Sequence, residues 1–435
     1  MQPVTPSRPI AEPPTVPSQP APDPDAGAPT PAMTSLDVIA EPQDEATHVF
    51  DQDVLHTFDV EIAPDDLAMA DSNPGAEEYV PGRFTFEGTT YEVGYRYKGS
   101  LGAFFPPCTN YLDGSKDGKC SIKISFNWKD PEQKFFGLKK LLFHSMNNDP
   151  SMMRERLGYG MFRKMGVPAS RATHAVLRVN GKAEIYALVE EVDSRFTRSR
   201  FAEGGKGNLY KEIWPTNVDP QAYLNALKTN EDDQPSVERV LRFEQAIAEG
   251  SEAMANWMDV DVTTSYMAVD RVIVNDDGAF HLYCGGNSLS NNPNSPSNHN
   301  YYWYEAKDTD RLWIVPWDLD HSLSDRPDGP HITTDWREPP TPAACNVCEG
   351  FSLSAAGPPS ACDAMFKNML TWLAAYEAKI DRFLEGPFRK EAVDAELASW
   401  KQQIMDAGFS VDQAALDDLT RILDWVRTNR GYRYQ

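Results

Sequence analysis

The sequence predicts an α+β fold with two lobes, a β-rich N-lobe followed by a mainly helical C-lobe. Three observations lead to this prediction. Alternating strand patterns with glycine turns dominate up to about residue 126. A helix and a second hairpin follow, and after about residue 215 the apolar residues recur at helical spacing. A β segment at about 271–318 interrupts these helices and carries acidic residues near strand ends.

Residues 1–46 are predicted to form a solvated, disordered tether. They are rich in Pro, Ala, Asp and Thr and contain about a third of the 34 prolines. Proline lacks an amide donor, and so little apolar content cannot support a core. Such a segment suits a linker from a lipid anchor or a neighbouring domain. One folded domain is expected over residues 47–435, with lobes over about 47–195 and 196–435.

The N-lobe prediction depends on two hairpins with a helix between them. Its strand segments cover residues 83–93, 93–100, 121–126, 175–179 and 185–192. The helix has Asp149 at the N-cap, Pro150 at N1 and Gly166 at C′. Asn180-Gly181 between alternating residues is the strongest short hairpin signal.

The C-lobe prediction depends on four long amphipathic segments. They cover residues 237–249, 364–384, 390–407 and 411–430. A β-rich lobe before a helical lobe, with acidic residues on a hairpin in between, is an atypical protein-kinase-like architecture.

The formal net charge of -24 restricts the classes of partner. Nucleic acids and anionic lipids both need clustered Lys and Arg, so neither is expected to bind. No apolar run reaches the roughly 18–20 residues that span a bilayer, and no signal-peptide pattern is present at the N-terminus. The sequence leaves the oligomeric state open.

The six cysteines favour disulfides and an exported protein. Cys108 and Cys120 bracket a Pro/Gly/Asp-rich loop, which predicts a disulfide-closed excursion. Cys345, Cys348 and Cys362 lie in a second irregular segment. Cys345-x-x-Cys348 is also the spacing of half a zinc site, but no second such pair follows it.

The residues most indicative of chemistry lie in the β segment of the C-lobe. Asn300 stands beside aromatic strand residues, and Asp318 and Asp320 follow one short hairpin later. Amide and carboxylate oxygens arranged in this way can hold a hard divalent cation against a phosphate. The same Trp-Asp-Leu-Asp run is also typical of a turn with a tryptophan in the core.

Phosphoryl transfer from ATP also needs a lysine on the phosphates and a helix glutamate that orients it. Lys123 on a strand and Glu155 in the following helix have the right order for this ion pair, although such residues are often only solvated. Lys98 precedes a Gly-Ser turn whose amides can bind phosphate, and Lys211 is a further candidate cation.

Two acidic pairs complete the candidate set. Glu190 and Glu191 end a strand where a hinge between the lobes would meet the adenine, with their own carboxylates expected to face water. In Asn-Asp-Asp-Gly, Asp277 is predicted to position the attacking hydroxyl. Asp276 would either support the site from an outer layer of contacts or exchange roles with Asp277. A plain turn is the alternative reading of this sequence.

Taken in order, these motifs resemble the spore coat protein H (CotH) kinases, atypical protein kinases of bacteria and some fungi. The resemblance spans about residues 47–435. Its segments are Val49-Phe50-Asp51, Tyr97-Lys98-Gly99-Ser100, Lys123-Ile124-Ser125-Phe126, residues 138–141, residues 149–155, Gly166-Val167-Pro168-Ala169, Val179-Asn180-Gly181, residues 207–211, His299-Asn300-Tyr301-Tyr302 and residues 316–320.

The resemblance implies a secreted or surface kinase that phosphorylates serine or threonine, its own included, using ATP and Mg²⁺ or Mn²⁺. It implies that Asp277 is the catalytic aspartate and that Asn300 and Asp318 are metal ligands. Two departures from the family pattern are present: an insertion at Gly285 to Ser297, and His321-Ser322 where relatives often have glycine. A surface binding or adhesion module without turnover, or AMP transfer, are the alternative functions.

Overall fold

The computed structural model describes residues 38–99, 119–233, 235–275, 277–284, 289, 296–323, 341–346, 348 and 358–429. The strands are β1 (His56–Ile62), β2 (Val80–Phe86), β3 (Thr89–Lys98), β4 (Ser121–Ser125), β5 (Lys140–His144), β6 (Ala172–Val179), β7 (Lys182–Val189), β8 (Asn208–Lys211), β9 (Tyr283–Cys284), β10 (Pro296–Ser297), β11 (Tyr301–Glu305) and β12 (Leu312–Pro316). The helices are α1 (Pro64–Ser72), α2 (Arg154–Lys164), α3 (Ser194–Arg200), α4 (Pro220–Ala226), α5 (Glu238–Glu249), α6 (Ser251–Ala255), α7 (Val260–Val272), α8 (Pro342–Cys345), α9 (Ala364–Met369), α10 (Leu373–Glu385), α11 (Lys390–Asp406) and α12 (Gln413–Thr428). The predicted α+β class is confirmed.

Seven strands of the first half close into a barrel in the order β1-β2-β3-β4-β5-β7-β6. Both predicted hairpins are present, with the turns at Glu87-Gly88 and Asn180-Gly181 in the left-handed region that such tight turns require. Inward-facing residues such as Phe58, Ile124 and Phe143 fill the barrel with one apolar core. Closure leaves the barrel without an exposed sheet edge.

Side chains on the outer face of the barrel pack into a second, larger apolar core. On β5 and β7, Leu142, Ala187 and Val189 alternate with the inward residues and join the core that includes Leu157 of α2 and the C-lobe helices. Successive side chains of a strand point to opposite faces, so one strand serves both cores. This shared packing seats α2 against the barrel, where Glu155 can approach the ends of neighbouring strands. The lobe boundary near residue 195 stays a prediction.

Helix α2 begins later than the sequence predicts. Gly166 follows its C-terminal end with φ +81° as expected, but the helix starts at Arg154 and not at Pro150. Met152 has φ +63°, which breaks the helical path. Asp149 instead caps a preceding turn, because its carboxylate accepts hydrogen bonds from the amides of Ser151 and Arg154.

The C-lobe contains helices in all four predicted segments, and it also contains helices that the sequence pattern missed, the longest of which is α7. The predicted β segment starting near 271 was wrong for its first residues, since Val272 ends helix α7 and Val274 has φ +52°. Helix α7 is buried on nearly every side. A helix buried on nearly every side shows no clear amphipathic period, so its last apolar residues look like a buried strand.

The folded part also begins earlier than predicted. Val38 bridges to Phe201, and the Ile39 amide donates to the Arg200 carbonyl at 2.7 Å. Asp44, assigned by composition to the tether, pairs with two arginines of the domain. Residues 1–37 lie outside the described part of the chain.

The cysteines form disulfides, as the sequence favours. Cys284 pairs with Cys348, and Cys345 pairs with Cys362. The zinc reading of Cys345-x-x-Cys348 is therefore wrong, because both thiols are used by separate partners. Cys120 is also in a disulfide, whereas Cys108 lies outside the described residues. No helix within the described ranges is long and apolar enough to cross a membrane.

Candidate active site

The predicted catalytic aspartate contacts the predicted metal asparagine. Asn300 Nδ2 donates to the Asp277 carboxylate at 2.8 Å and to the Asp277 carbonyl at 3.0 Å. An insertion separates them in sequence. The short β9–β10 pair, in which Tyr283 lies opposite Ser297, brings the two ends of this insertion next to each other. Asp277 and Asn300 can therefore meet across it. Asp276 lies outside the described residues.

The β11–β12 hairpin brings Asn300 and Asp318 together. Tyr301 lies opposite Pro316, and the Asn300 carbonyl accepts from the Trp317 amide at 3.1 Å. Asn300 and Asp318 thus extend from the two open ends of the hairpin. Both have positive φ, +58° and +50°. Such strain in non-glycine residues is concentrated at functional sites, where the surrounding structure enforces it.

One acceptor in this cluster has no partner among the described residues. Asn300 is buried, and its Oδ1 receives no hydrogen bond. Buried acceptors are nearly always satisfied, so an orphaned one calls for an explanation. An amide oxygen beside carboxylates is a ligand that Mg²⁺ and Mn²⁺ accept. The residues therefore fit the predicted hard cation.

The two aspartates of the Trp-Asp-Leu-Asp segment differ in their electrostatics. Burial would raise the pKa of Asp318, but His144, Lys98 and Lys211 hold it below its ordinary value. Burial and the neighbouring Asp318 raise the pKa of Asp320 to about 7. Asp318 is thus the carboxylate that stays ionised in a cationic setting.

A lysine, a histidine and a glutamate next to these aspartates are linked by two consecutive hydrogen bonds. Lys98 Nζ lies 2.9 Å from His144 Nε2, and His144 Nδ1 lies 2.7 Å from Glu155 Oε1. One ligand atom from each of His144, Glu155 and Asp318 lies within 4.8 Å of the others. Burial lowers the pKa of Lys98, with Asp318 and Glu155 partly opposing that shift. The sequence analysis did not predict His144. The available signal was its position at the end of strand β5, on the same face of the barrel sheet as Lys98.

The predicted ion pair of Lys123 with Glu155 is wrong. Lys123 Nζ instead pairs with Glu191 Oε1 at 2.7 Å, and Lys140 approaches the other Glu191 oxygen at 3.4 Å. In the barrel register Lys123 lies opposite Leu142, two residues short of His144. A strand rises about 3.3 Å per residue, so the nearest carboxylate to Lys123 is at the end of β7 and not in α2.

The expectation that Glu190 and Glu191 face water is also wrong. Glu190 is 1% exposed and accepts from Arg171, Arg195 and Arg200. Burial opposes its ionisation, but Arg200 and Arg171 lower its pKa to about 2. The segment where a hinge was predicted is therefore fixed by a buried ion cluster.

The third predicted lysine also reaches the site. Lys211 lies opposite Tyr302 in the sheet, 5.9 Å above that ring, and contributes to the low pKa of Asp318. Lys98 is influenced by the charges of both Lys123 and Lys211. A chain of strongly negative net charge thus places two lysines, Lys98 and Lys211, beside Asp318, a setting suited to a polyphosphate.

Helix α2 is joined directly to the aspartate segment. The Asp318 amide donates to the Tyr159 hydroxyl at 3.0 Å. Leu319 packs so closely on Gly158 that an added Cβ there would lie 3.0 Å from Leu319 Cδ1. The helix that carries Glu155 therefore also sets the position of Asp318.

Comparison with known proteins gives the same family that the motifs suggest. The family model described as CotH kinase protein matches residues 96–407. The inner spore coat protein H-like protein of Bacillus subtilis is 38% identical over 121 residues, which cover 27% of this chain and 37% of that protein. Inner spore coat protein H of the same organism is 24% identical over 234 residues, which cover 50% of this chain and 58% of that protein. The matches thus span less than two thirds of either relative.

Proposed function

Because the chain belongs to the CotH kinase protein family, we propose that it is an ATP- and divalent-metal-dependent kinase of protein serine or threonine. One observation carries the proposal: Asp277, Asn300 and Asp318 converge in one place. Next to them lie three side chains linked by hydrogen bonds, those of Lys98, His144 and Glu155. These are the parts that phosphoryl transfer requires, namely a hydroxyl-positioning carboxylate, oxygen ligands and an oriented cation.

In the proposed reaction the acceptor hydroxyl oxygen attacks the γ-phosphorus of ATP. The new O–P bond forms as the bond from that phosphorus to the β–γ bridging oxygen breaks, and ADP leaves. Asp277 orients the hydroxyl and accepts its proton, while Asn300 holds the Asp277 carboxylate through its amide. Lys98, fixed by His144, stabilises the phosphate charge.

Asn300 and Asp318 would hold Mg²⁺ or Mn²⁺, with Asp320 beside them. The metal would supply neutralisation of the phosphate charge. The free Asn300 Oδ1 and the lowered pKa of Asp318 support this assignment, because both leave oxygen lone pairs available at neutral pH.

The proposed setting is the cell exterior or surface, with ATP and a Ser/Thr-containing protein as partners. Disulfides persist in oxidising compartments, and the described part of this chain holds two complete ones, which supports this setting.

The proposal is tested by intact-mass measurement after incubation with ATP and Mg²⁺ or Mn²⁺, with and without an added Ser/Thr protein. We expect gains of about 80 Da per phosphate, on the chain itself or on the acceptor. Asp318→Asn should lower the rate by at least about 100-fold. The matched control Asp418→Asn alters an exposed carboxylate of α12 and should change nothing.

Two outcomes would overturn the kinase proposal. ATP binding without any mass gain would favour the surface binding module. A gain of about 329 Da per event would indicate AMP transfer.

A further inference from the structure

A second group of metal-binding side chains lies on the barrel, outside the site described above. It consists of His48 before β1, His56 at the start of β1, and Glu87 in the turn between β2 and β3. One ligand atom from each lies within 4.8 Å of the other two. Within the described residues, no hydrogen bond or ion pair joins them to Asp277, Asn300 or Asp318.

His56 is held in one tautomer by the backbone. Its Nε2 lies 2.8 Å from the His48 carbonyl oxygen, which can only accept, so Nε2 carries the proton. In the neutral ring the lone pair is therefore on Nδ1, and no described residue donates to it. A histidine whose other nitrogen donates to a backbone carbonyl is the usual arrangement of a metal ligand.

The other two side chains are paired at the mouth of the cluster. His48 Nε2 lies 3.0 Å from Glu87 Oε1, and these side chains are 43% and 56% exposed. His56 is buried beneath them. The His56 ring lies 5.2 Å from the ring of Phe86, and the His48 ring lies 5.2 Å from that of Phe136. The aromatic packing limits how far either imidazole can rotate.

The alternative is a surface ion pair between His48 and Glu87. Such an exposed pair contributes little to stability and needs no third ligand. It does not account for the buried, tautomer-fixed His56 in the same cluster. Two imidazoles and one carboxylate, with a fourth position open to water, form a well-known zinc ligand set.

We propose that His48, His56 and Glu87 bind a Zn²⁺ ion. Imidazole ligands favour zinc over Mg²⁺, and this cluster has two imidazoles where the metal-capable group of the active site has one, that of His144. His48 belongs to the segment that precedes the barrel, and Glu87 belongs to a barrel hairpin. The ion therefore joins the N-terminal segment to the barrel and stabilises its attachment.

The test uses the full chain after chelator treatment, titrated with Zn²⁺ by calorimetry. It is run in the Asp318→Asn background, which removes the central carboxylate of the active-site group. We expect one site per chain, and at least tenfold weaker binding in the His48→Ala/Glu87→Gln variant. Both replaced side chains are substantially exposed, so this variant should fold. Glu92→Gln, an exposed change on the adjoining strand β3, is the matched control and should bind zinc normally.

A second readout is the thermal unfolding midpoint. Zn²⁺, but not Mg²⁺, should raise it in the parent protein and leave it unchanged in the double variant, because a ligand that binds only the folded state stabilises it. Equal zinc affinity in parent and double variant, or no zinc binding by either, would overturn the proposal. Neither result bears on phosphoryl transfer, which is measured separately.

Discussion

At the scale of single residues, the proposed kinase site depends on which lysine Glu155 orients. The structure places His144 between Lys98 and Glu155, with contacts of 2.9 and 2.7 Å. Lys123, the sequence-predicted partner, is neutralised by Glu191 instead. Lys98 and Lys123 lie on adjacent strands but have different environments. The charge of Lys98 acts on Asp318, whereas Lys123 is held in an ion pair with Glu191 near the predicted hinge.

This difference predicts unequal effects of removing the two lysines. Lys98→Ala should lower kcat/KM by about 100-fold or more, because the proposed donor to the developing phosphate charge is lost. Lys123→Ala should lower it by less than about tenfold, since its charge is already balanced by Glu191. Steady-state kinetics with ATP and a Ser/Thr protein would measure both. Similar losses for the two variants would contradict the assignment of Lys98.

At the scale of elements, helix α2 couples the two halves of the site. Its Glu155 holds His144, its Tyr159 hydroxyl accepts from the Asp318 amide, and its Gly158 lets Leu319 approach. Buried Arg156 of the same helix stacks on Trp400 of α11 at 4.3 Å. The helix is thus fixed both to the aspartate segment and to the C-lobe.

Two glycines on this helix provide a matched test of the close approach. Gly158→Ala should lower both activity and unfolding temperature, because the new methyl meets Leu319 at 3.0 Å and overpacking costs about 1–3 kcal/mol. Gly160→Ala has no atom within 4 Å of the new Cβ and should stabilise by roughly 0.5–1 kcal/mol. Thermal unfolding and kinase assays on both variants check this. Equal behaviour of the pair would argue against the contact as a determinant of the site.

At the scale of the whole molecule, buried carboxyls set the response to pH. Burial raises the pKa of Glu305 and that of Asp270 to about 7 each. Their protonated forms are favoured by folding, so their stabilising contribution is complete below the unfolded values near pH 4 and is lost as pH rises through about 7. Glu190 behaves oppositely: with a pKa of about 2 it stabilises above about pH 4.5 and ceases to do so in stronger acid.

We therefore expect the unfolding free energy to fall between pH 5 and pH 8. Glu305 alone should contribute a loss on the order of 3 kcal/mol, from the difference between its two pKa values. Glu305→Gln should make the dependence shallower, because the amide does not titrate while Asp270 still does. The exposed control Glu249→Gln should leave it intact. Chemical denaturation at both pH values measures the effect, and an unchanged slope in Glu305→Gln would contradict this account.

The sequence predicted local features well wherever the signal was local. Asn180-Gly181 and Glu87-Gly88 fixed two hairpins through their backbone conformations, and Gly166 marked where α2 ends. It failed for α7, because a helix buried on all sides has no amphipathic period. It failed for the start of α2 because the left-handed φ of Met152 carries no sequence signal.

By itself, the sequence determined the fold class, the family and most of the polar residues of the candidate site. Only the tertiary structure decided how they pair: that Asn300 reaches Asp277 across an insertion, and that Glu155 takes His144 rather than Lys123. The physical reason is that turn and helix signals act over a few residues. Side-chain pairing instead depends on strand register and on the packing of α2 against the barrel, which bring together residues far apart in the chain.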